Sequence, residues 1–372
     1  MSWRTCRLGD VLTLKRGHDL PEHSRQDGDI PVVSSSGITG RHKEAKATAP
    51  GVVTGRYGTI GQVFYLEEDY WPLNTALYVI DFKGNDPRFS AYFLRNVLKG
   101  YQSEKAAVPG VDRNVLHEIK VRAPSHSLQL RIADILSAYD DLIENNRRRM
   151  ALLEESARLL YREWFVRLRF PGYEHTPIVD GVPQGWVQKT LGDLCSEIRD
   201  MVLPEALESD TPYIGLEHIP RRSISLNEWG TVEEVTSSKS RFKAGEIIFG
   251  KIRPYFHKVG VAFVDGVASS DSIVVRPADD TLHGLVLMTM SSDEFVATTA
   301  QQMKEGSKMP RADWKQMKAY PVPLPPSGLL SNFDGVIQPI LKQLKSISFT
   351  NQKLRNARDL LLPRLMSGEL AV

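Results

Sequence analysis

The sequence has few cysteines, no long apolar runs and little net charge. Its two cysteines, Cys6 and Cys195, lie in no disulfide framework and lack metal-ligand spacing, which favours a reducing cytosol and an ordinary core role for both. No apolar run approaches membrane-spanning length, and the opening stretch MSWRTCRLGD has no apolar signal core. We therefore expect a soluble, unsecreted, cytoplasmic protein with no membrane partner. Because the formal charge is only +2, any affinity for nucleic acid must come from local clusters of charge.

Motifs of enzymes that act on nucleotides or nucleic acids are also missing. The stretch GVVTGRYGTI at 51–60 resembles a phosphate-binding loop but lacks its Gly-Lys-Ser/Thr end. NDPRF at 85–89 lacks the second proline of an amino-methyltransferase loop, and no methyl-donor glycine motif accompanies it. Asp81 and Lys83 have the spacing of a nuclease pair without the upstream Pro-Asp, which favours a surface role at a strand end. Metal-ligand spacing such as HExxH is absent around His18, His42, His117, His218 and His257. No catalytic or metal-binding residue is predicted.

The chain does contain an internal repeat of very long period. A length of 372 residues predicts two domains. Three pairs of similar stretches occur in the same order: 8–21 and 191–204, 51–80 and 245–275, and 121–124 and 322–325. In the second pair, Gly55-Arg56 corresponds to Gly250-Lys251. A long helical pattern follows each copy, so the chain is predicted to be two copies of one plan.

Each copy has the pattern of a mainly β domain. Short β-branched and aromatic runs such as QVFYL and EIIFG are separated by Gly, Pro, Asn and Asp. One helix is predicted at 87–101, and its partner in the second copy is predicted near 284–300.

Two long stretches repeat apolar residues in steps of four and three, which is typical of a coiled coil. The first seam consists of Ile132, Leu136, Tyr139, Ile143, Asn146, Met150, Leu153, Ala157, Leu160 and Trp164. The second consists of Phe333, Ile337, Ile340, Leu344, Ile347, Asn351, Leu354, Arg358, Leu361 and Leu365. Pro339 and Pro363 interrupt the second seam, so the prediction rests on its middle layers more than on its outer ones.

Each seam contains one asparagine, and the two differ in heptad phase. If the step of three runs from a to d, Asn146 is a d position and Asn351 an a position, and a faces d in an antiparallel pair. When the two asparagines are placed opposite each other, the apolar layers fall into register, with Ile143 opposite Leu354. Alternatively, each asparagine simply lies at a hydrated seam position and does not set the register. A polar pair that fixes the register is the better-attested use.

These patterns predict an α+β protein with two similar mainly β domains separated by two long helices that form an antiparallel coiled coil. The predicted segments are a first domain at 1–124, a central long helix at 125–169, a second domain at 170–326 and a distal long helix at 327–372. From Ile132 to Trp164 the helix would extend about 50 Å at 1.5 Å per residue. That length is comparable to about 15 base pairs of duplex DNA. A duplex is therefore a suitable ligand for two domains on such helices.

Local charge supports a nucleic-acid ligand. Residues 239–258 hold six Lys/Arg against a single acid, with Phe and Tyr between them. The matching first-copy segments at 34–46 and 54–58 are also net basic, and a third basic cluster at 304–315 matches 104–114. Lysine and arginine neutralise phosphates, and arginine also reads guanine edges. A solvated surface is the alternative for any one cluster, but it explains three repeated clusters less well.

The glycines of 51–61 would let a turn between two strands approach a partner closely and offer Arg56 and Tyr57 to DNA. The alternative is a β-hairpin that is needed only for the fold. The full set of candidate DNA-binding residues is Arg41, Lys43, Arg56, Tyr57, Arg113, Lys243, Lys251, Arg253, Tyr255, Lys308 and Arg311.

The order and duplication of these motifs resemble the specificity subunits of type I restriction-modification systems. The resemblance rests on LGDVLTLKRG, GRYGTIG, FGKIRPY with SSDSIVV, and NARDLLLPRLMSGEL, and it covers nearly the full length. It implies two target-recognition domains that each read one half of a split, asymmetric site in double-stranded DNA. It also implies that methyltransferase (M) subunits dock along the helices and that an ATP-driven restriction (R) subunit is recruited. The chain itself would bind no cofactor and do no chemistry, whereas other subunits would use S-adenosylmethionine, ATP and Mg²⁺.

Two other functions stay open. A stand-alone nuclease or methyltransferase would cleave or methylate DNA as the isolated chain. A protein-binding assembly scaffold would show binding without the steep salt dependence that phosphate contacts cause.

Overall fold

The computed structural model describes residues 3–56, 61–101, 111–301 and 310–372. The chain divides into two compact units. Unit 1 is Met1–Glu144 with Lys353–Val372, and unit 2 is Asn145–Gln352. Each unit therefore combines one mainly β region with parts of both long helices.

The β region of unit 1 contains two sheets and a separate strand pair. Its strands are β1 Trp3–Arg7, β2 Thr13–Arg16, β3 Ile30–Ser34, β4 Gly37–His42, β5 Gly51–Gly55, β6 Val63–Leu66, β7 Trp71–Pro72, β8 Ala76–Asp81 and β9 Lys120–Pro124. Its helices are α1 Pro87–Tyr101, α2 Arg113–His117 and the first part of α3 His126–Tyr161. The sheets have the orders β2-β8-β5-β6 and β4-β3-β7, and β1 pairs with β9.

Strand β5 lies at the centre of unit 1. All five of its residues are buried, because β8 and β6 flank it and α1 packs on it. Burial on both faces explains its continuous run of small and apolar residues. A strand with one face in solvent would alternate apolar and polar residues. The helix predicted at 87–101 is confirmed as α1. In the antiparallel β1–β9 pair, Trp3 lies opposite Pro124, which brings the two ends of the β region together.

Unit 2 repeats this plan with additions. Its strands are β10 Ile178–Val179, β11 Val182–Pro183, β12 Val187–Thr190, β13 Cys195–Ile198, β14 Met201–Val202, β15 Pro212–Ile214, β16 Ser225–Leu226, β17 Gly230–Thr231, β18 Lys239–Phe242, β19 Ile247–Gly250, β20 Val259–Ala262, β21 Gly266–Ala268, β22 Ser272–Pro277 and β23 Pro321–Leu324. Its helices are the last part of α3, α4 Leu191–Leu194, α5 His283–Met290, α6 Asp293–Gln301, α7 Trp314–Met317 and most of α8 Ser327–Ser367.

The internal repeat is confirmed strand by strand. The order β13-β22-β19-β20 in unit 2 matches β2-β8-β5-β6 in unit 1, with β16 added at the edge, and β12–β23 matches β1–β9. A second sheet of unit 2 has the order β14-β18-β21-β15-β17. Single backbone hydrogen bonds are repeated too. The N–H of Leu8 donates to the carbonyl of Ile119 at 2.9 Å, and that of Leu191 donates to Tyr320 at 2.8 Å.

The helix predicted near 284–300 is present as two helices, α5 and α6. The chain leaves the helical path at Ser291 and Ser292, and the Ser292 hydroxyl accepts a hydrogen bond from the Phe295 N–H at 3.2 Å. This hydroxyl caps the first turn of α6, which stabilises a new helix start.

The two long helices are also present, and the α+β prediction is confirmed. The expectation that Pro339 and Pro363 interrupt the second seam was wrong, because α8 runs without a break from Ser327 to Ser367. Both proline rings are exposed, whereas the outer-layer residues Phe333 and Leu365 are buried. Burial of these apolar layers offsets the hydrogen bond that each proline removes. Helix α3 ends at Tyr161 in a π-helical turn, Arg162–Val166, that carries the last seam residue. Within the described residues, no helix has both the length and the apolar character needed to cross a bilayer.

The two seam asparagines lie in unit 2 and face each other. The Asn146 side-chain amide donates to the Asn351 side-chain carbonyl at 2.8 Å. Asn351 is buried. A second hydrogen bond, from the Arg149 guanidinium to the Gln343 side chain at 2.9 Å, follows the antiparallel direction of the two helices.

Replacing either asparagine alone by leucine is expected to lower the free energy of unfolding by about 1–3 kcal/mol, because the remaining amide is left unpaired against an apolar side chain. Replacing both is expected to restore most of that loss, since exchanging both members of a buried polar pair for apolar groups is often nearly neutral. Denaturant unfolding of Asn146→Leu, Asn351→Leu and the double variant measures this coupling. Additive effects in the double-mutant cycle would contradict a paired role.

Candidate nucleic-acid interface

A basic loop joins β19 to β20 in unit 2. Three backbone hydrogen bonds fix it to segments that are distant in sequence. The Lys251 N–H donates to the Asp271 carbonyl at 2.7 Å, and the Lys251 carbonyl accepts from the Ala312 N–H at 2.9 Å. The Arg253 N–H donates to the Pro310 carbonyl at 3.0 Å. The fold therefore brings Lys251 and Arg253 beside the segment that contains Arg311.

The side chains of this loop differ in how free they are. The Lys251 ammonium donates to the Ser270 carbonyl at 3.2 Å, and the Arg311 guanidinium pairs with the Asp271 carboxylate at 3.0 Å. Arg253 and Tyr255 are exposed at the tip of the loop. Thus four of the candidate DNA-binding residues gather at one end of β19, and the carboxylate of Asp271 offsets part of their charge.

Sequence reasoning missed a stacked cluster at the same loop. The guanidinium carbon of Arg221 lies 4.0 Å from the centre of the Phe256 ring, and that of Arg253 lies 5.8 Å from it. The Tyr255 and Phe256 rings meet edge to face at 5.0 Å. Arginine over an aromatic face is a favourable contact that holds the guanidinium in place. Arg221 lies outside the repeated stretches. The only sequence signal for a basic site there is the pair Arg221-Arg222 after a proline.

The histidine at the end of the loop serves as an anchor. His257 is buried, and its Nε2 lies 2.8 Å from the Ser291 carbonyl oxygen. Because a carbonyl only accepts, Nε2 carries the proton of the neutral ring. Burial is the largest influence on His257 and lowers its pKa, so the ring is neutral near pH 7.

Arg253 and His257 both have left-handed backbones, with φ of 50° and 54°. Such strain in non-glycine residues is often found at functional sites.

The same backbone frame occurs in unit 1. The Arg56 N–H donates to the Thr75 carbonyl at 3.0 Å, and the Arg56 carbonyl accepts from the Val111 N–H at 2.9 Å. These are the two bonds that Lys251 makes in unit 2. Arg113 follows two residues after Val111 at the start of α2, where the Asp112 carboxylate caps the helix through the Asn114 N–H.

The remaining candidates lie elsewhere or outside the described residues. Arg41 is in β4 and donates to the Asp29 carbonyl, and Lys43 lies 3.9 Å from the Glu44 carboxylate. Lys243 precedes β19 whereas Lys251 follows it, so the strand separates them despite their closeness in sequence. Tyr57 and Lys308 lie outside the described residues.

The site contains no recognisable catalytic group in the part of the chain that the structure describes. Asp81, the last residue of β8, pairs with Lys83 in the following turn at 2.8 Å, and both are exposed. No group of His, Cys, Asp or Glu among the described residues is arranged to hold a metal ion. The Cys195 thiol is buried, and burial raises its pKa to about 12, which makes it a poor nucleophile.

Known proteins share this sequence plan and fold. A sequence model of the family described as "Type I restriction modification DNA specificity domain" matches residues 1–155 and 183–357. The specificity subunit of the type I restriction enzyme MjaIX from Methanocaldococcus jannaschii is 24% identical over 288 residues, which is 71% of this chain and 63% of that protein. The EcoDI specificity subunit from Escherichia coli is 22% identical over 353 residues, which is 88% of this chain and 78% of that protein.

A solved structure shows the same fold. The S subunit of a type I restriction-modification system from M. genitalium aligns with a TM-score of 0.61 at 14% identity, covering 98% of this chain and 96% of that one. The family match covers both β regions and most of both long helices, and it confirms the resemblance seen in the sequence. The chain therefore belongs to the family of type I restriction modification DNA specificity domains.

Proposed function

We propose that this chain is the DNA-recognition subunit of a type I restriction-modification enzyme. Each unit contacts one half of a split, asymmetric site in double-stranded DNA and directs the methyltransferase and restriction subunits to it. The observation that carries this proposal is the duplicated backbone frame, which holds Arg56 in unit 1 and Lys251 in unit 2 through the same pair of hydrogen bonds.

The chemistry of the unit 2 loop suits a duplex. Lys251 supplies a point charge for a phosphate, and the exposed guanidinium of Arg253 can bind a phosphate or the edge of a guanine through two hydrogen bonds. Tyr255 adds an exposed aromatic ring with a hydroxyl at the same tip. Three backbone bonds to two distant segments preorganise the loop, so binding loses little conformational freedom.

Family membership supports these partners, and the long helices offer a surface for them. Leu152 of α3 and Leu360 of α8 are each 70% exposed and would be covered by a partner that docks on the helices. Methyltransferase subunits are proposed to dock there, and the restriction subunit to join the assembled complex. In that complex the other subunits hold S-adenosylmethionine, ATP and Mg²⁺, whereas this chain positions the DNA.

Replacing Lys251 and Arg253 together by glutamine is expected to weaken DNA binding and to flatten its salt dependence. Each lost phosphate contact lowers the slope of log K against log salt by about one, so the double variant should lose about two. The measurement is a salt titration of duplex binding by the full chain with its methyltransferase subunits.

The matched control replaces Lys342 and Lys345, two exposed lysines on α8, by glutamine and removes the same formal charge. We expect this variant to keep the wild-type slope. A scaffold that binds only protein would show no steep salt dependence in any variant. Unchanged affinity and slope in the Lys251 and Arg253 variant would remove these residues from the interface.

A further inference from the structure

A basic cavity opens beside the start of β6 in unit 1. It measures about 460 Å³ and is lined by Gly61, Gln62, Val63, Phe64, Arg95, Lys99, Arg358, Asp359 and Leu362. Gly61, Gln62 and the start of β6 form one wall, α1 supplies Arg95 and Lys99, and α8 supplies the rest. Three cationic side chains and one carboxylate therefore face this space.

The cationic groups are not neutralised equally. Arg358 is held by Asp140 and by Asp359, the latter at 2.7 Å. Arg95 donates one hydrogen bond to the Val63 carbonyl at 3.2 Å and lies 5.5 Å from the centre of the Tyr92 ring. Its other N–H groups have no partner within the described ranges. The exposed Lys99 ammonium likewise contacts no acceptor there, so the cavity keeps an excess of positive charge.

Asp140 is half-buried and attracts Arg95 electrostatically, but it is hydrogen-bonded to other groups. Asp140 accepts from the Tyr92 hydroxyl at 2.6 Å and from Arg358, so its two oxygens are already engaged. Burial is the largest influence on Arg95 and lowers its pKa, as expected for a cation that is only partly compensated. An anion that enters the cavity would supply the missing acceptors.

The wall of the cavity lies beside the strand that leads into Arg56. Thr54 of β5 pairs with Val63 of β6, so the start of β6 lies about 4.8 Å from the strand that ends at Gly55 and leads into Arg56. A polyanion that contacts Arg56 would therefore pass close to Arg95 and Lys99.

The equivalent place in unit 2 has a different charge balance. A cavity of about 240 Å³ lies next to His257, which precedes β20 by the same two residues as Gly61 precedes β6. Its charged lining consists of three arginines and three carboxylates: Arg158, Arg162, Arg222, Glu155, Asp293 and Glu294. Both units therefore have a cavity at this place of the repeated fold, but only the cavity of unit 1 has an excess of positive charge.

We propose that the unit 1 cavity binds a backbone phosphate of duplex DNA next to the half-site that this unit contacts, with Arg95 and Lys99 as the ligands. The proposal rests on the proposed function. A guanidinium fork beside an ammonium group is suited to phosphate oxygens. A phosphate contact positions the duplex without reading its sequence. Closeness to the strand that leads into Arg56 favours DNA over a carboxylate of a protein partner.

Lys99→Gln in the full chain tests the assignment. We expect the slope of log K against log salt to fall by about one, with the same fold-loss of affinity for a duplex that contains the site and for one that does not. Arg95→Gln should behave alike. Because Arg95 also contacts Tyr92 and Val63, its variant can lose fold stability, and the exposed Lys99 carries the test on its own.

Lys120→Gln is the matched control, since it removes one exposed lysine from β9 of the same unit and should keep the wild-type slope. A wild-type slope for Lys99→Gln, while Lys251 and Arg253 variants lose theirs, would overturn the phosphate site and leave the proposed function standing. If Lys99→Gln instead weakened only the assembly with methyltransferase subunits, the cavity would take a protein carboxylate and the proposal would be wrong. Salt-independent binding by the wild-type chain would contradict the proposed function itself.

Discussion

Replacing residues 1–124 by the corresponding segment of a relative with a different specificity is expected to change one half of the recognised DNA site and to leave the other half intact. The segment is closed on itself, because β1 pairs with β9 from Trp3 opposite Pro124 to Arg7 opposite Lys120. It contains the Arg56 frame but none of the loop around Lys251. Sequencing methylated adenines in a host with and without the chimera, with its methyltransferase subunits present, identifies both half-sites. A change in both halves, or in neither, would contradict independent recognition by the two units.

The chimera should also reveal where the structural border of unit 1 lies. The core of unit 1 includes α3 and α8 residues beyond the exchanged segment, among them Leu128, Ile132, Leu136, Leu362 and Leu365. A foreign segment must pack on these side chains, and mismatched packing commonly costs about 1–3 kcal/mol per overpacked or underpacked site. Exchanging 1–144 together with 353–372 is the matched variant, because it transfers the whole compact unit. We expect it to have the same altered half-site and the higher unfolding midpoint.

The long helices and the repeat could be predicted from the sequence because they leave strong periodic signals. A seam repeated in steps of four and three is hard to mistake, and α3 and α8 carry it. The effect of the prolines was misjudged. Each proline removes one backbone hydrogen bond locally, whereas the buried layers around Pro339 and Pro363 stabilise the helix over many turns. The break between α5 and α6 was not predicted. All of α5 after His283 is buried, and a continuous apolar run lacks the alternation of apolar and polar residues that would show where one helix ends and the next begins.

The candidate interface was only partly predictable because contact depends on topology. Lys251 and Arg311 are 60 positions apart in sequence, yet the bond between Lys251 and Ala312 places them side by side. Lys243 was grouped with Lys251 by closeness in sequence, but β19 separates the two. Arg221 reaches Phe256 from a turn outside the repeat, and no local pattern reports such a contact.

Glu154→Ala is expected to lower the free energy of unfolding of unit 2 by about 1–3 kcal/mol, because it removes the acceptor of two serine hydroxyls from a buried network. Glu154 of α3 is buried. Its carboxylate accepts hydrogen bonds from the Ser225 hydroxyl at 2.6 Å and the Ser223 hydroxyl at 2.8 Å. It also pairs with Arg158 at 3.3 Å. Alanine would leave the two serine hydroxyls without their acceptor in an enclosed site, whereas Arg158 would keep its pair with Glu155.

The neighbouring residue provides a matched control, since Glu155 is exposed and pairs with the same Arg158 at 3.0 Å. Glu155→Ala is expected to cost less than about 1 kcal/mol, because water screens an exposed ion pair. The buried network also fixes the turn that contains Arg221, so Glu154→Ala should weaken DNA binding in conditions where the unit remains folded, whereas Glu155→Ala should not. Denaturant unfolding and duplex titration of both variants separate these effects. Equal losses of stability at the two positions would show that the serine hydrogen bonds add nothing to the ion pair, and would exclude Glu154 as the residue that holds the Arg221 turn in place.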